Sequence, residues 1–198
     1  TECATTDCPD QPGRVGCTEK GSLLIFSKVE LRWNNDGSEF KQDTFISLTN
    51  DYPGAVKVQL YFVNGDPPAA AGELGPNERA HPGWNFVDNG IVLTMNEPTW
   101  WSSLTGQPKG VSPFTVLDPG VPPGRPAMDG TNDRVLRGYM VAWAVDSQGR
   151  QIRWNHLKGE GTVVNYRDDY SWEYNANAYA VNADAAGHGE RVGTAGEI

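Results

Sequence analysis

The sequence predicts an all-β protein, an antiparallel β-sandwich with an immunoglobulin-like or jelly-roll order of strands. Apolar residues alternate with polar ones at a period of two, turn-forming residues separate these runs, and no segment keeps a helical period. With 198 residues and 38% hydrophobic content, the chain can bury one core. We therefore predict a single domain over residues 21–182, an N-terminal arm at 1–20 and a C-terminal tail at 183–198.

The first predicted strand, residues 21–33, has two environments. Leu23, Leu24, Ile25 and Phe26 are consecutive and apolar, which predicts burial on both faces, whereas strict alternation begins at Lys28. Since a strand rises about 3.3 Å per residue, the segment extends about 40 Å and is expected to change partners midway. The four apolar residues are predicted to form a subunit interface by pairing with the edge of a neighbouring copy. The alternative is that the strand switches between two sheets of its own domain.

Further strands follow along the chain, each rich in β-branched and aromatic residues. They are DTFISLTN (43–50), AVKVQLYFVNG (55–65), GIVLTMN (90–96) and PFTVLD (113–118). VLRGYMVAWAVD and QIRWNHL, separated by Ser-Gln-Gly, predict a hairpin. GTVVNY and SWEYNANAYAV complete the set, and the latter places on one face Trp172, Tyr174, Ala176, Ala178 and Ala180. Residues 64–89 and 118–134 are predicted to be long loops.

Charge and hydropathy exclude two classes of partner. The formal net charge is −9, and Lys and Arg do not cluster, so we expect no binding to nucleic acid. No apolar run approaches the roughly 20 residues that span a bilayer, so we expect no membrane insertion. The chain begins at Thr1 without a charged and apolar leader, which is expected of a mature secreted protein or of a trimmed chain.

The cysteines lie only in the arm, at Cys3, Cys8 and Cys17, among proline and glycine residues that turn the chain. We predict a Cys8–Cys17 disulfide, with Cys3 as an alternative partner or as a link to another chain. A zinc site is disfavoured because it usually needs four ligands, and no histidine lies near the arm. Disulfides favour an extracellular or cell-surface location.

Several segments together resemble a group of uncharacterised secreted bacterial proteins predicted to be all-β. The segments are KGSLLIFSKVELRW, QDTFISLTN, VQLYFVNGD, WWSSLTGQP, VSPF and RGYMVAWAVDSQGRQIRWNHLKGE, within roughly residues 20–180. The resemblance implies export and a sandwich fold. It implies no activity and no site residues.

The sequence contains no motif that predicts catalysis. It has no G-x-S-x-G nucleophile turn and no metal-binding histidine spacing. His156, in RWNHLKGE, is a candidate general base, but packing or capping at a hairpin end is the preferred role. The Asp168-Asp169 pair is better explained by a solvated turn than by glycoside hydrolysis. We therefore predict that the protein is not an enzyme and needs no cofactor.

Two oxygen-rich turns are candidate calcium sites. One is DGTND, with Asp129, Asn132 and Asp133; the other is NNDGSE, with Asn34, Asn35, Asp36 and Glu39. Neither has the complete EF-hand pattern. The preferred alternative is that these residues form ordinary turns.

The seven tryptophans divide into two groups. Trp33, Trp143, Trp154 and Trp172 lie in strand patterns and are expected to pack in the core or on a sheet face. Trp84, Trp100 and Trp101 lie in loop-like surroundings. They are candidate stacking surfaces for a glycan or contacts with another protein, although burial at one end of the domain is the preferred alternative.

Two functions follow from these features. The first is a secreted structural protein, a subunit of an extracellular filament or surface assembly in which copies of the chain join by strand pairing. The alternative is a carbohydrate-binding or adhesive β-sandwich module.

Overall fold

The computed structural model describes residues 20–65, 86–110 and 125–180. Within these ranges the chain is all-β, as predicted, and no helix is long and apolar enough to cross a membrane. The ten strands are β1 (Leu23–Trp33), β2 (Phe40–Asn50), β3 (Val56–Asn64), β4 (Phe86–Leu93), β5 (Pro98–Ser102), β6 (Arg125–Pro126), β7 (Arg134–Val145), β8 (Leu157–Asn165), β9 (Tyr170–Asn175) and β10 (Asn177–Tyr179).

All strand pairs are antiparallel and belong to one open hydrogen-bonded sheet in the order β4-β3-β7-β1-β2-β8-β9. Three short strands lie beside this path: β10 pairs with β1, β5 with β2 and β6 with β7. Strands β1 and β2 pair only near the turn that joins them, at Arg32↔Gln42 and Trp33↔Phe40. This corner divides the sheet into one half around β3, β7 and β1 and another around β5, β2, β8 and β9.

The two halves pack against each other through their apolar faces. Gly159 of β8 lies under β1, because a Cβ atom at this position would be 2.4 Å from Phe26 Cζ and 3.1 Å from Leu24 Cδ1. Only a glycine lets the strands approach this closely. The described strands therefore form one continuous antiparallel sheet with packed halves, and the immunoglobulin-like or jelly-roll sandwich stays a prediction.

A β-bulge in β1 explains why its sequence has two patterns. The register with β7 shifts between Phe26 and Val29, so β1 contains one more residue than its partner there. Before the bulge the buried apolar residues are Leu24 and Phe26; after it they are Val29, Leu31 and Trp33. All five belong to the main core. The extra residue thus moves the core face from even to odd positions and turns the charged even positions to the opposite face of the sheet.

Leu24 and Phe26 are fully buried, and Leu23 and Ile25 are half-buried. Both backbone edges of Leu23–Ile25 are already paired within the chain, one with β7 and the other with β10. A neighbouring copy could therefore pair with this segment only after β10 had left it. The subunit-interface role of these residues stays a prediction with that added condition.

Three predicted segments differ from the strands found. Residues 151–156 contribute only short bridges before β8 begins at Leu157, because Asn155 and His156 turn the chain. SWEYNANAYAV forms two strands: β9 pairs with β8, and β10 crosses to β1. The Trp-Trp segment predicted as a loop forms β5. The predicted strand at 113–118, the three cysteines of the arm and the whole C-terminal tail at 183–198 lie outside the described residues.

Candidate ligand-binding cleft

A cleft of about 320 Å³ opens where the second half of β1 meets β2, β8 and β9. The turn before β7 closes one side of it. Its wall consists mainly of charged and polar side chains, with two aromatic residues. The lining residues are Lys28, Glu30, Arg32, Lys41, Gln42, Asp129, Thr131, Asp133, Val163, Asn165, Arg167, Asp168, Tyr170 and Trp172.

The β1 bulge supplies one wall of the cleft. Because the bulge turns the even positions away from the core, Lys28, Glu30 and Arg32 line the cleft in succession. Thr44 holds this wall to β2. Its hydroxyl accepts a bond from Glu30 N and donates one to the Glu30 carbonyl, both at 2.9 Å. These two bonds therefore fix the backbone of β1 at Glu30 against β2.

The deep end of the cleft is built around Asp133, whose side chain is 3% exposed. Lys41 Nζ lies 2.5 Å from Asp133 Oδ1, and Arg32 Nη1 lies 3.4 Å from Oδ2. Burial alone would raise the pKa of Asp133, but the hydrogen bonds and charges of Lys41 and Arg32 outweigh it and lower the pKa. Asp133 is therefore ionised near neutral pH and pairs with two cations.

Arg32 connects this end to the turn before β7. Its Nη1 donates to Asp129 Oδ2 at 2.7 Å, while Thr131 donates to Asp129 Oδ1 from its hydroxyl at 2.5 Å and its backbone N at 3.1 Å. Burial lowers the pKa of Arg32, yet the bond to Asp129 and the charges of Glu30 and Asp129 give a net rise. The hydrogen bonds from Thr131 and Arg32 hold the pKa of Asp129 well below its usual range.

Glu30 is, with Asp133, the second carboxylate at the deep end of the cleft. Gln42 Nε2 donates to Glu30 Oε1 at 2.9 Å, and Arg32 Nη2 lies 3.3 Å from the same oxygen. Lys28 Nζ lies 3.3 Å from Glu30 Oε2. Each of the two deep carboxylates, Glu30 and Asp133, is thus neutralised by cations of the cleft itself.

The mouth has an aromatic side formed by β9. Trp172 is 39% exposed, and Lys28 Nζ lies 5.8 Å from the centroid of its ring, which is a cation–π distance. Tyr174 lies beside it, with the ring centroids 5.6 Å apart. The Tyr174 ring covers Gly161, and its hydroxyl donates to the Lys28 carbonyl in the bulge. Burial raises the pKa of Tyr174 to about 12. The aromatic pair Trp172 and Tyr174 and the β1 bulge therefore fix each other's positions.

The calcium candidates have other partners. Asp129 and Asp133 face Arg32 and Lys41, so cationic side chains occupy the positions where a metal ion would neutralise them. Asn132 is exposed with a φ of 58°, as expected in a turn. In the second turn, Asp36 accepts bonds from Ser38 N and Oγ. Across residues 20–65, 86–110 and 125–180, no three His, Cys, Asp or Glu side chains converge as metal ligands.

The two described tryptophans of the predicted aromatic site have different environments. Trp101 is buried and packs over Gly110, whereas Trp100 is 53% exposed and tilts against Phe45 at a centroid distance of 6.0 Å. Trp84 lies outside the described residues. His156 packs against Tyr52, with 4.5 Å between ring centroids. Neither Trp100 nor Trp101 lines the cleft.

Sequence reasoning singled out Asp129, Asp133 and Asp168 but missed the cations and the tryptophan that complete this cleft. Trp172 was expected to pack on a sheet face, and Lys28, Arg32 and Arg167 carried no motif. The only signal for Lys28 and Arg32 was the charged half of the KVELRW alternation, which is equally typical of a solvated strand face. The chain has no significant match among protein-family models, curated proteins or solved structures.

Proposed function

We propose that the protein is a carbohydrate-binding β-module, and that the cleft beside Trp172 holds the sugar. The observation that carries the proposal is an exposed aromatic face next to a charge-balanced polar wall. The cleft has four cationic side chains and four acidic ones, so its formal charge is zero. The cations are Lys28, Arg32, Lys41 and Arg167; the acids are Glu30, Asp129, Asp133 and Asp168.

A sugar suits such a surface for a physical reason. Each hydroxyl group both donates and accepts hydrogen bonds, so it can lie between a carboxylate and a cation. The C–H face of a pyranose ring is apolar and packs on an aromatic ring, as Trp172 offers. The volume of about 320 Å³ is at the lower end of the range of small-molecule sites, which is roughly 300–1,000 Å³. A short saccharide end is therefore the expected occupant.

Binding without turnover is part of the proposal. Glycoside hydrolysis needs a carboxylic acid that can protonate the leaving group. The lowered pKa values of Asp129 and Asp133 make both carboxylates poor proton donors. Glu30 is held by Gln42 and by cations on both sides. These pairings support recognition of an intact ligand.

The test is a glycan array followed by titration calorimetry with the best ligands. Trp172→Ala should weaken binding at least tenfold, because it removes the stacking face. Trp100→Ala is the matched control, since Trp100 is equally a surface tryptophan but lies outside the cleft. Circular dichroism checks that both variants fold. Saturable binding that survives Trp172→Ala and is lost in Trp100→Ala would refute the cleft as the site.

A second function, the subunit of an extracellular filament or surface assembly, has its own supporting observation. The described sheet is open, and its path ends in two different strands, β4 and β9. Pairing of β9 in one copy with β4 in the next would be heterologous and would not close, which is the geometry of a filament. Secretion, the Cys8–Cys17 disulfide and a sandwich-like strand order belong to this second proposal. The packing of the two sheet halves supports the last of these.

Electron microscopy of the purified protein tests this second function. Ala176 N donates to Gly159 O, so alternation along β9 directs the N–H of Glu173 away from β8. Glu173→Pro would remove that outward donor while keeping the internal pairing. Filaments formed by the original chain should be lost in this variant. Two results would count against assembly through β9: a protein that stays monomeric at high concentration, or filaments that still form in the proline variant.

A further inference from the structure

We infer that the cleft selects a carboxylated sugar, such as a uronic acid residue, over its neutral counterpart. This inference rests on the proposed carbohydrate-binding function. The formal charges of the cleft balance. The hydrogen-bonding groups that remain open to a ligand, however, are mainly donors rather than acceptors. The difference arises between the deep end, where carboxylates are well paired, and the mouth, where cations have donors to spare.

The carboxylates are the better-paired partners. Asp129 is 43% exposed, but it already accepts from Arg32 and twice from Thr131, all within 3.1 Å. Asp133 lies between Lys41 and Arg32, and its side chain is only 3% exposed. Glu30 is 11% exposed and is bonded by Gln42. A ligand hydroxyl therefore finds few open acceptor positions on these three groups.

The two mouth cations contrast with them. The Arg167 side chain is 52% exposed, and its guanidinium lies 3.8 Å from the nearest oxygens of Asp133 and of Asp168, beyond hydrogen-bond distance. The Lys28 side chain is 45% exposed and has an ion pair at 3.3 Å with Glu30. Both can turn additional N–H groups toward a ligand. Charge-assisted bonds to a carboxylate are stronger than bonds to a neutral hydroxyl, so an acidic sugar gains more from these donors.

The position of Lys28 links the charge to the stacking surface. Its ammonium lies 5.8 Å from the centroid of the Trp172 ring, so a sugar that stacks there must displace it. A neutral sugar would remove the cation–π contact and return only neutral hydrogen bonds. A carboxylate on the same sugar would receive the displaced ammonium as a salt bridge. Asp168, 56% exposed, is the mouth carboxylate that opposes this preference, and it lies beside Arg167.

The experiment compares oligouronates with the same oligosaccharides after reduction of their carboxyl groups to alcohols. Calorimetry should give at least fivefold tighter binding of the acidic form by the original chain. Arg167→Gln and Lys28→Gln should each reduce this ratio toward one, while Trp172→Ala should weaken both forms. Arg150→Gln is the control, because Arg150 is an exposed arginine paired with Asp146 on the turn after β7 and lies outside the cleft.

The outcomes separate this inference from the function on which it rests. Equal or tighter binding of the reduced sugars would overturn the acidic preference and leave carbohydrate binding intact. A preference that persists in both Arg167→Gln and Lys28→Gln would also overturn it, because it would place the recognition elsewhere. Failure to bind any glycan on an array of neutral and carboxylated sugars would overturn both proposals.

Discussion

Replacement of Gly159 by alanine tests how the two halves of the sheet pack. The new Cβ atom would lie 2.4 Å from Phe26 Cζ, 2.9 Å from Phe26 Cε1 and 3.1 Å from Leu24 Cδ1. Both neighbours are fully buried, so neither side chain can swing into solvent. The aromatic ring must move by about 1 Å to restore ordinary contact, and overpacking of this kind costs about 1–3 kcal/mol.

Part of that cost is offset in the unfolded state. Alanine has fewer backbone conformations to lose than glycine, a gain of about 0.4–1 kcal/mol where the native backbone accepts it. We therefore expect Gly159→Ala to lower the free energy of unfolding by about 1–2 kcal/mol. For a chain of this size the melting temperature should fall by about 2–8 °C.

Urea unfolding followed by tryptophan fluorescence measures the change, with Gly90→Ala as the matched control. Gly90 also lies inside a strand, but a Cβ there would meet its nearest atom, the Val58 carbonyl oxygen, at 3.5 Å. This variant should be neutral or slightly more stable. The double variant Gly159→Ala with Phe26→Leu should recover about 1 kcal/mol relative to the sum of the single changes. Strict additivity, or equal effects at the two glycines, would refute the packing of β8 against β1.

Three further outcomes concern the cleft and its support. Asp133→Asn should cost about 3 kcal/mol in urea unfolding, because Lys41 would keep a poorly exposed charge without its carboxylate; a loss below about 1 kcal/mol contradicts the deep ion pair. Since the pKa of Asp133 is lowered on folding, its stabilisation is complete above the ordinary aspartate pKa of about 3.9 and is lost as pH falls further. The unfolding free energy should therefore drop below about pH 4, and less steeply in Asp133→Asn. Tyr174→Phe should cost about 1 kcal/mol by losing the bond to the Lys28 carbonyl, and a neutral result would contradict that bond.

Local alternation predicted most of the strands because it is a property of neighbouring residues. The segments from Val56 to Asn64 and from Lys28 to Trp33 bury the residues that their period of two indicates. The consecutive apolar residues before Lys28 end at the bulge, which sequence reasoning did not predict. Pairing partners were beyond sequence reasoning, since nothing in the last strands shows that the chain crosses from β8 to β1 after Asn175.

The candidate site was predicted poorly for a related reason. Asp129 and Asp133 were chosen for their oxygen atoms, but their partners Arg32 and Lys41 come from strands about 90 to 100 residues earlier. Only the fold brings these charges together. The Trp100-Trp101 pair stood out as a sequence feature, whereas Trp172 was hidden in a regular strand. It became accessible because β9 lies at the end of the sheet path.

The single extra residue in β1 has a consequence for how this chain tolerates insertions and deletions. Every residue from Val29 onward owes its orientation to that bulge, which lies at Ser27 and Lys28. Deletion of Ser27 would remove the extra residue together with the bulge, so Val29, Leu31 and Trp33 would follow Phe26 in simple alternation and keep the core face. This strand is therefore expected to tolerate the loss of one residue at the bulge, whereas one residue inserted after Val29 would reverse the faces that follow and damage the core and the cleft together.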